Sequence, residues 1–208
     1  MKIGIIGSGM IGGAIGVALA AAGYEVLFSS RHPEQLNDIV QAAGNNARSG
    51  EISEAAEFGA VLILAVPFWA IEELSEKLGQ LDGKVLIDVS NPFPQRDGDI
   101  AKEVLESGQA SSKYVANCFP HASLVKAFNT IYYKDIKEHA FRKKEKRALP
   151  YAGSEKSALQ IVREMIEKIG FEPIHIGPIS ESHPMDANQA LFNNDLTANE
   201  IRKILEEQ

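Results

Sequence analysis

The sequence predicts an α/β protein: a single doubly wound domain built on a mainly parallel sheet. Three observations carry that prediction. Short apolar runs of strand length alternate with segments of helical length along all 208 residues. The run from Ala60 to Val66 is apolar throughout, as expected of a strand covered on both faces. The stretch from Met1 to His32 reads strand, glycine turn, small-residue helix, strand.

Lys2–Ile6 is the first strand, and it runs directly into Gly7-Ser8-Gly9-Met10-Ile11-Gly12. Each glycine of this G-x-G-x-x-G spacing has a physical task. Gly7 permits the tight turn, Gly9 lets the backbone approach a pyrophosphate, and Gly12 lets the helix lie close on the sheet. The following helix presents unpaired N–H groups and a positive dipole end to phosphates. Placed between an apolar strand and a helix, the spacing is a Rossmann-type dinucleotide fingerprint. The second strand, Glu25–Phe28, ends in Ser29-Ser30-Arg31-His32, with no carboxylate until Glu34. An NAD site places an Asp or Glu near there for the ribose 2′-OH. Serine hydroxyls and the fork of Arg31 suit a 2′-phosphate instead, so the expected cofactor is NADP.

The uncharged stretch from Ile3 to Tyr24, with Ala18 to Ala22, also resembles a secretory signal. Its glycines interrupt the apolar run that a signal or a membrane span needs, so neither is expected. Downstream, a helix opens at Pro33 and runs to Ala43, stopped by Gly44-Asn45-Asn46. Ala47-Arg48 is a short third strand and Ile52 to Phe58 a helix. The strand Ala60 to Val66 stops at Pro67; a helix from Trp69 to Leu78 places Ile71, Leu74 and Leu78 on one face. The fifth strand, Lys84 to Val89, ends at Asn91-Pro92. Helices follow at Asp99 to Glu106 and Ser112 to Phe119, then a sixth strand at Ser123 to Phe128. Ala148 to Gly153 is a strand whose Pro150 places it near a sheet edge or a strand end. Ser154 is the expected N-cap of an amphipathic helix to Ile169, closed by Gly170, and Phe171 to Ile176 is the last strand. Residues 1–208 form one domain, with 188–208 a C-terminal tail and helix.

The net charge of −7 argues against a nucleic-acid or anionic-membrane surface. The single cysteine, Cys118, excludes an internal disulfide, and the five histidines show no helical ligand spacing, so no metal is expected. A cytoplasmic location follows as an expectation. The basic run Arg142 to Arg147 is a solvated loop or an anion-steering rim.

Ligands of doubly wound sheets lie beyond the carboxyl ends of the strands. Candidates there are Ala65, Val66, Pro67 and Phe68, Asn91 and Pro92, and Ala127 with Asn129. Phe68 and Trp69 read equally as core. The amides of Asn91 and Asn129 suit a nicotinamide carboxamide or a substrate carbonyl, against a plain loop-capping role. They are the expected positioning residues of the reaction. No Ser-His-Asp, Cys-His or paired-carboxylate arrangement stands out; His121 and His183 are the histidines that proton transfer would use, and both read more readily as satisfied structural or surface histidines. Hydride transfer between two rings needs alignment more than a side-chain acid.

Gly7 to Gly12, Ser30-Arg31, Leu64 to Pro67, Asp88 to Pro92 and Val125 to Thr130 together resemble the NADP oxidoreductases grouped with the deazaflavin (coenzyme F-420)-dependent NADP reductases. The resemblance extends over nearly the whole chain, and Lys126 to Thr130 is its most specific part. It implies a single Rossmann-type domain passing hydride between NADPH and a flat, flavin-like acceptor, with Ser8 to Ile11, Ser30, Arg31, Val66 and Ala127 lining the NADP site. Asn129 stands where those reductases tend to have a histidine, and the polar tail after Gly177-Pro178 is similar to a bacterial branch of the family. The expected function is an NADPH-dependent oxidoreductase acting on a flavin-, deazaflavin- or quinone-like acceptor. The alternative is a non-catalytic NADP(H)-binding sensor or scaffold. Leu191, Phe192, Leu196, Ile201, Ile204 and Leu205 in the tail predict packing against a second copy in a homodimer, with packing back on its own domain as the alternative.

Overall fold

The computed structural model describes residues 1–207. Eight strands form one sheet in the order β3-β2-β1-β4-β5-β6-β7-β8. They are β1 (Lys2–Ile6), β2 (Glu25–Ser29), β3 (Ala47–Gly50), β4 (Val61–Leu64), β5 (Val85–Asp88), β6 (Ser123–Ala127), β7 (Ala148–Gly153) and β8 (Glu172–His175). The first six run parallel; β7 is antiparallel to β6, and β8 is parallel to β7. Ten α-helices accompany them: α1 (Met10–Ala21), α2 (Asn37–Ala43), α3 (Ile52–Phe58), α4 (Ile71–Leu78), α5 (Pro94–Asp97), α6 (Asp99–Glu106), α7 (Ser112–Cys118), α8 (Tyr133–His139), α9 (Lys156–Lys168) and α10 (Ala198–Glu206).

Strand side chains alternate between the two faces, and here both faces are core. Ile5, Ile63 and Ile87 pack with Ile15 of α1 and Val162 of α9, while Ile6, Leu62 and Leu86 pack with Ala55 of α3 and Val115 of α7. The doubly wound prediction therefore holds. The strand order reverses between β1 and β4, which opens a crevice at their carboxyl ends.

β7 is one strand in from the sheet edge, near it as expected, and pairing with β6 stops at Ala127↔Tyr151, so the missing N–H of Pro150 falls one residue beyond that ladder. Several expectations need correction. Pro33 opens a 3₁₀ turn, and the α-helix begins only at Asn37. The N-cap of α9 is Glu155, which accepts from the Ala158 N–H at 2.9 Å, and not Ser154. The helix α8 went unforeseen.

The tail packs on its own domain. Leu191, Ala198 and Ile201 are buried with Ala148, Ala152, Ile174 and Met185; Leu196, Ile204 and Leu205 pack partly buried on the same cluster, and Phe192 faces Phe93. The basic run is not uniform either. Arg147 is 1% exposed and donates to Asp135 and to the carbonyls of Thr130 and Asn194. Arg142 pairs with Asp195 at 2.6 Å, leaving Lys143, Lys144 and Lys146 on the surface. Among the described residues no helix is long and apolar enough to cross a membrane.

Candidate functional site

The glycine loop has the geometry its spacing implies. Gly7 has φ +95°, and a Cβ there would lie 2.7 Å from the Ala65 carbonyl oxygen. A Cβ on Gly12 would run into the Gly7 carbonyl oxygen. A Cβ on Gly9 would meet no protein atom within 4 Å, so this position faces open space. The first bond of α1 runs from the Gly13 N–H to the Gly9 carbonyl at 2.8 Å, and Gly9 carries no capping side chain. The N–H groups of Met10, Ile11 and Gly12 thus have no partner inside the helix. Beside them the Ser8 hydroxyl is buried without a hydrogen-bond partner. Free N–H donors at a helix N-terminus are the kind of group that can hold an anionic phosphate.

At the end of β2 the four candidates separate. Ser29 is fully buried and donates to the Ile5 carbonyl at 2.6 Å. It staples β2 to β1 and has no hydroxyl proton for a phosphate, contrary to expectation. Ser30 Oγ accepts from the His32 N–H at 2.8 Å and keeps its own proton available. Arg31 is exposed, and no hydrogen bond or ion pair of its guanidinium occurs among the described residues. His32 is exposed and lies 3.4 Å from Glu34.

Beyond β4, β5 and β6 lies a cleft of about 570 Å³ that also touches Gly9, Met10 and Ile11. Ala65, Val66, Pro67, Asn91 and Asn129 line it as expected. Phe68 does not: it is 1% exposed and packs on Tyr114, with ring centroids 5.3 Å apart. Pro92 and Ala127 are buried behind the wall, and Phe128 lines the cleft instead. Phe128 has φ +62°, a left-handed conformation that turns the chain sharply at the end of β6.

The two asparagines interlock. Asn91 Nδ2 donates to the Asn129 carbonyl at 3.0 Å, and Asn129 Nδ2 donates to Asn91 Oδ1 at 3.1 Å and to the Met185 carbonyl at 2.7 Å. Asn129 Oδ1 is buried and has no partner. An unmet acceptor at a cleft wall is costly unless a ligand donor reaches it.

Sequence reasoning missed the aromatic wall and the one cation. Phe93 and Phe192 face each other at 6.3 Å, and Tyr132 and Tyr133 at 4.6 Å. Their only advance signal was position: Phe93 follows Asn91 by two residues, and the tyrosines follow Asn129-Thr130-Ile131. Arg96 donates to the Asn91 carbonyl at 2.8 Å and to both Asp97 oxygens. Burial pushes the Asp97 carboxyl up, but hydrogen bonds from Arg96 and the Phe93 N–H outweigh it and hold the group below the usual carboxylate range. A hydrogen bond with Tyr133 raises the Tyr132 phenol. Among the described residues, Arg96, Tyr132 and Tyr133 are the only titratable ones lining the cleft, and no carboxylate, histidine, cysteine or lysine lines it. His121 sits 3.6 Å from Asp82 and His183 3.3 Å from Asp186, both outside the lining. Asp135, Glu138 and His139 also come together on α8, but Arg147 already holds Asp135 and His139.

Residues 2–92 match the family model described as NADP oxidoreductase, coenzyme F420-dependent. That segment contains the glycine loop, Ser30, Arg31, Val66, Pro67 and Asn91, and the chain resembles the NADP oxidoreductases of that family. Metalloreductase STEAP3 of Rattus norvegicus is 29% identical over 186 residues, which are 89% of this chain and 36% of that protein. An NAD(P)+ glycerol-3-phosphate dehydrogenase of Thermoanaerobacter sp. is 26% identical over 152 residues, 62% of this chain and 46% of the dehydrogenase. The chain therefore spans less than half the length of these relatives. A solved structure of a hypothetical protein from Sinorhizobium meliloti superposes with a TM-score of 0.83 at 28% identity, covering 95% of both chains. A candidate F420-dependent NADP reductase from Arthrobacter sp. superposes with a TM-score of 0.74 at 20% identity, covering 95% of this chain and 99% of the other, a likeness of fold.

Proposed function

We propose that this protein is an NADPH-dependent oxidoreductase passing a hydride between NADP(H) and a flat flavin-, deazaflavin- or quinone-like acceptor. The observation that carries the reading is the composition of the cleft. It begins at the open N-terminus of α1 and ends at the unmet acceptor Asn129 Oδ1. Between them stand aromatic rings, and the described lining holds no carboxylate, histidine, cysteine or lysine. Such a lining suits a reaction that needs stacking and alignment rather than proton transfer.

The residues present fit NADP. The free N–H groups of Met10 to Gly12 and the orphaned Ser8 hydroxyl would hold the pyrophosphate, and Ser30 with Arg31 the 2′-phosphate. When bound, the nicotinamide supplies the hydride. Asn129 Oδ1 would accept from its carboxamide, fixing the ring plane, while Asn91 holds Asn129 in place. The rings of Phe93 and Phe192, tilted 59° to each other, offer apolar ring faces and edges to an aromatic acceptor and exclude water beside it.

The test is NADPH oxidation against free flavins, a deazaflavin, quinones and ferric chelates, with calorimetry of NADPH and NADH in parallel. Selective NADPH binding with turnover of at least one planar acceptor is the expected result. Tight NADPH binding without turnover of any acceptor would favour the sensor reading. Equal affinity for the two cofactors would overturn the NADP assignment.

A further inference from the structure

Lys126 is fully buried, and so are the two carboxylates beside it, Asp88 at 3.5 Å and Asp186 at 3.3 Å. Buried charge is expensive, and well-packed apolar residues often hold a core as firmly as a buried ion pair does. Stability alone therefore does not account for three buried charges, but direction does. Asp88 accepts from the N–H and the hydroxyl of Ser90, at 2.8 and 2.6 Å, and from the Ser112 hydroxyl. Asp186 accepts from the N–H and hydroxyl of Ser111. The Lys126 ammonium donates to Ser111 Oγ at 3.0 Å and to the Ser90 carbonyl at 3.3 Å.

Each end of this network borders an asparagine of the cleft. Ser90 precedes Asn91, Lys126 lies three residues before Asn129, and Asp186 follows Met185, whose carbonyl receives the Asn129 amide. We propose that Lys126 is a positioning residue: its ammonium, set between Asp88 and Asp186, fixes the ends of β5 and β6 so that Asn129 Oδ1 keeps its aim into the cleft. The proposal rests on the oxidoreductase reading above.

Lys126→Met alone would strand two buried carboxylates. The test is therefore Lys126→Met/Asp186→Asn, which preserves the formal charge of the buried group, compared with Asp186→Asn. In the double variant, NADPH affinity should stay within about threefold, because the loop from Gly9 to Ile11 and Arg31 are untouched. Single-turnover hydride transfer should slow by about 10- to 100-fold, and at least about fivefold more than in Asp186→Asn. A second readout needs neither cofactor nor acceptor. In the NADP-free protein the side-chain amide NMR signals of Asn91 and Asn129 should lose their exchange protection, while the backbone amides of Met10 to Gly12 keep their shifts. Unchanged amides with an unchanged rate would overturn the proposal. A double variant that does not fold would overturn it too, because the network would then be a folding element. If the wild type transfers hydride to no acceptor, the oxidoreductase reading fails, and the amide signals still decide the role of Lys126.

Discussion

Arg31 and Ser29 stand two positions apart in the chain and divide the work expected of the 2′-phosphate site. Arg31 is exposed and uncommitted, whereas Ser29 spends its proton on the Ile5 carbonyl. A hydrogen bond to a charged group contributes about 1.5–3 kcal/mol, so Arg31→Ala should weaken NADPH binding by roughly 10- to 100-fold. NADH binding should hardly change, and calorimetry of both cofactors checks this. Ser29→Ala should instead lower stability by about 1 kcal/mol and leave the ratio of the two affinities alone, as urea unfolding and the same calorimetry would show. Asn129 combines both kinds of role. Asn129→Leu leaves the Met185 carbonyl and Asn91 Oδ1 unpaired, so a stability loss of about 2–3 kcal/mol is expected beside a hydride-transfer rate about 10- to 1000-fold lower. A rate per bound NADPH equal to wild type would make the residue structural only.

The strands and the glycine turn were legible in the sequence because their signals are local: β4 is an apolar run, and Gly7, Gly9 and Gly12 act within one turn. The burial of Arg147, the Lys126 network and the docking of α10 were not, since each depends on partners far along the chain. A basic run or an apolar tail reads the same whether its partner is solvent, another copy or its own sheet. The α10 segment now supports its own prediction. Ile201→Ala, at a buried site capped by Thr197, should cost about 2–4 kcal/mol in urea unfolding. The loop from Phe93 to Gly98 offers another. Asp97 has a lowered carboxyl pKa, so its contribution is fully present above the ordinary carboxylate range and is lost as pH falls through the lowered value. The stability advantage of wild type over Asp97→Asn should hold at pH 5 and shrink only below about pH 4.

The whole molecule sets what the reaction can depend on. With no carboxylate, histidine, cysteine or lysine among the described residues lining the cleft, and with the Tyr132 phenol raised, the single-turnover rate should be flat between about pH 6 and 9. A bell-shaped profile over that interval would show that a proton donor reaches the site from elsewhere. The buried network also gives the molecule a chronology. The strand that feeds the phosphate loop and the neighbours that brace it are complete once β4 has been made. Asn129 must wait for Met185, and Ser111 for a carboxylate 75 positions later. Under the proposed function, a chain leaving the ribosome would therefore gain its nucleotide-binding end early and its reacting end late. In refolding, recovery of NADPH binding should run ahead of recovery of turnover, and the interval between them measures how long the last segment takes to close the network.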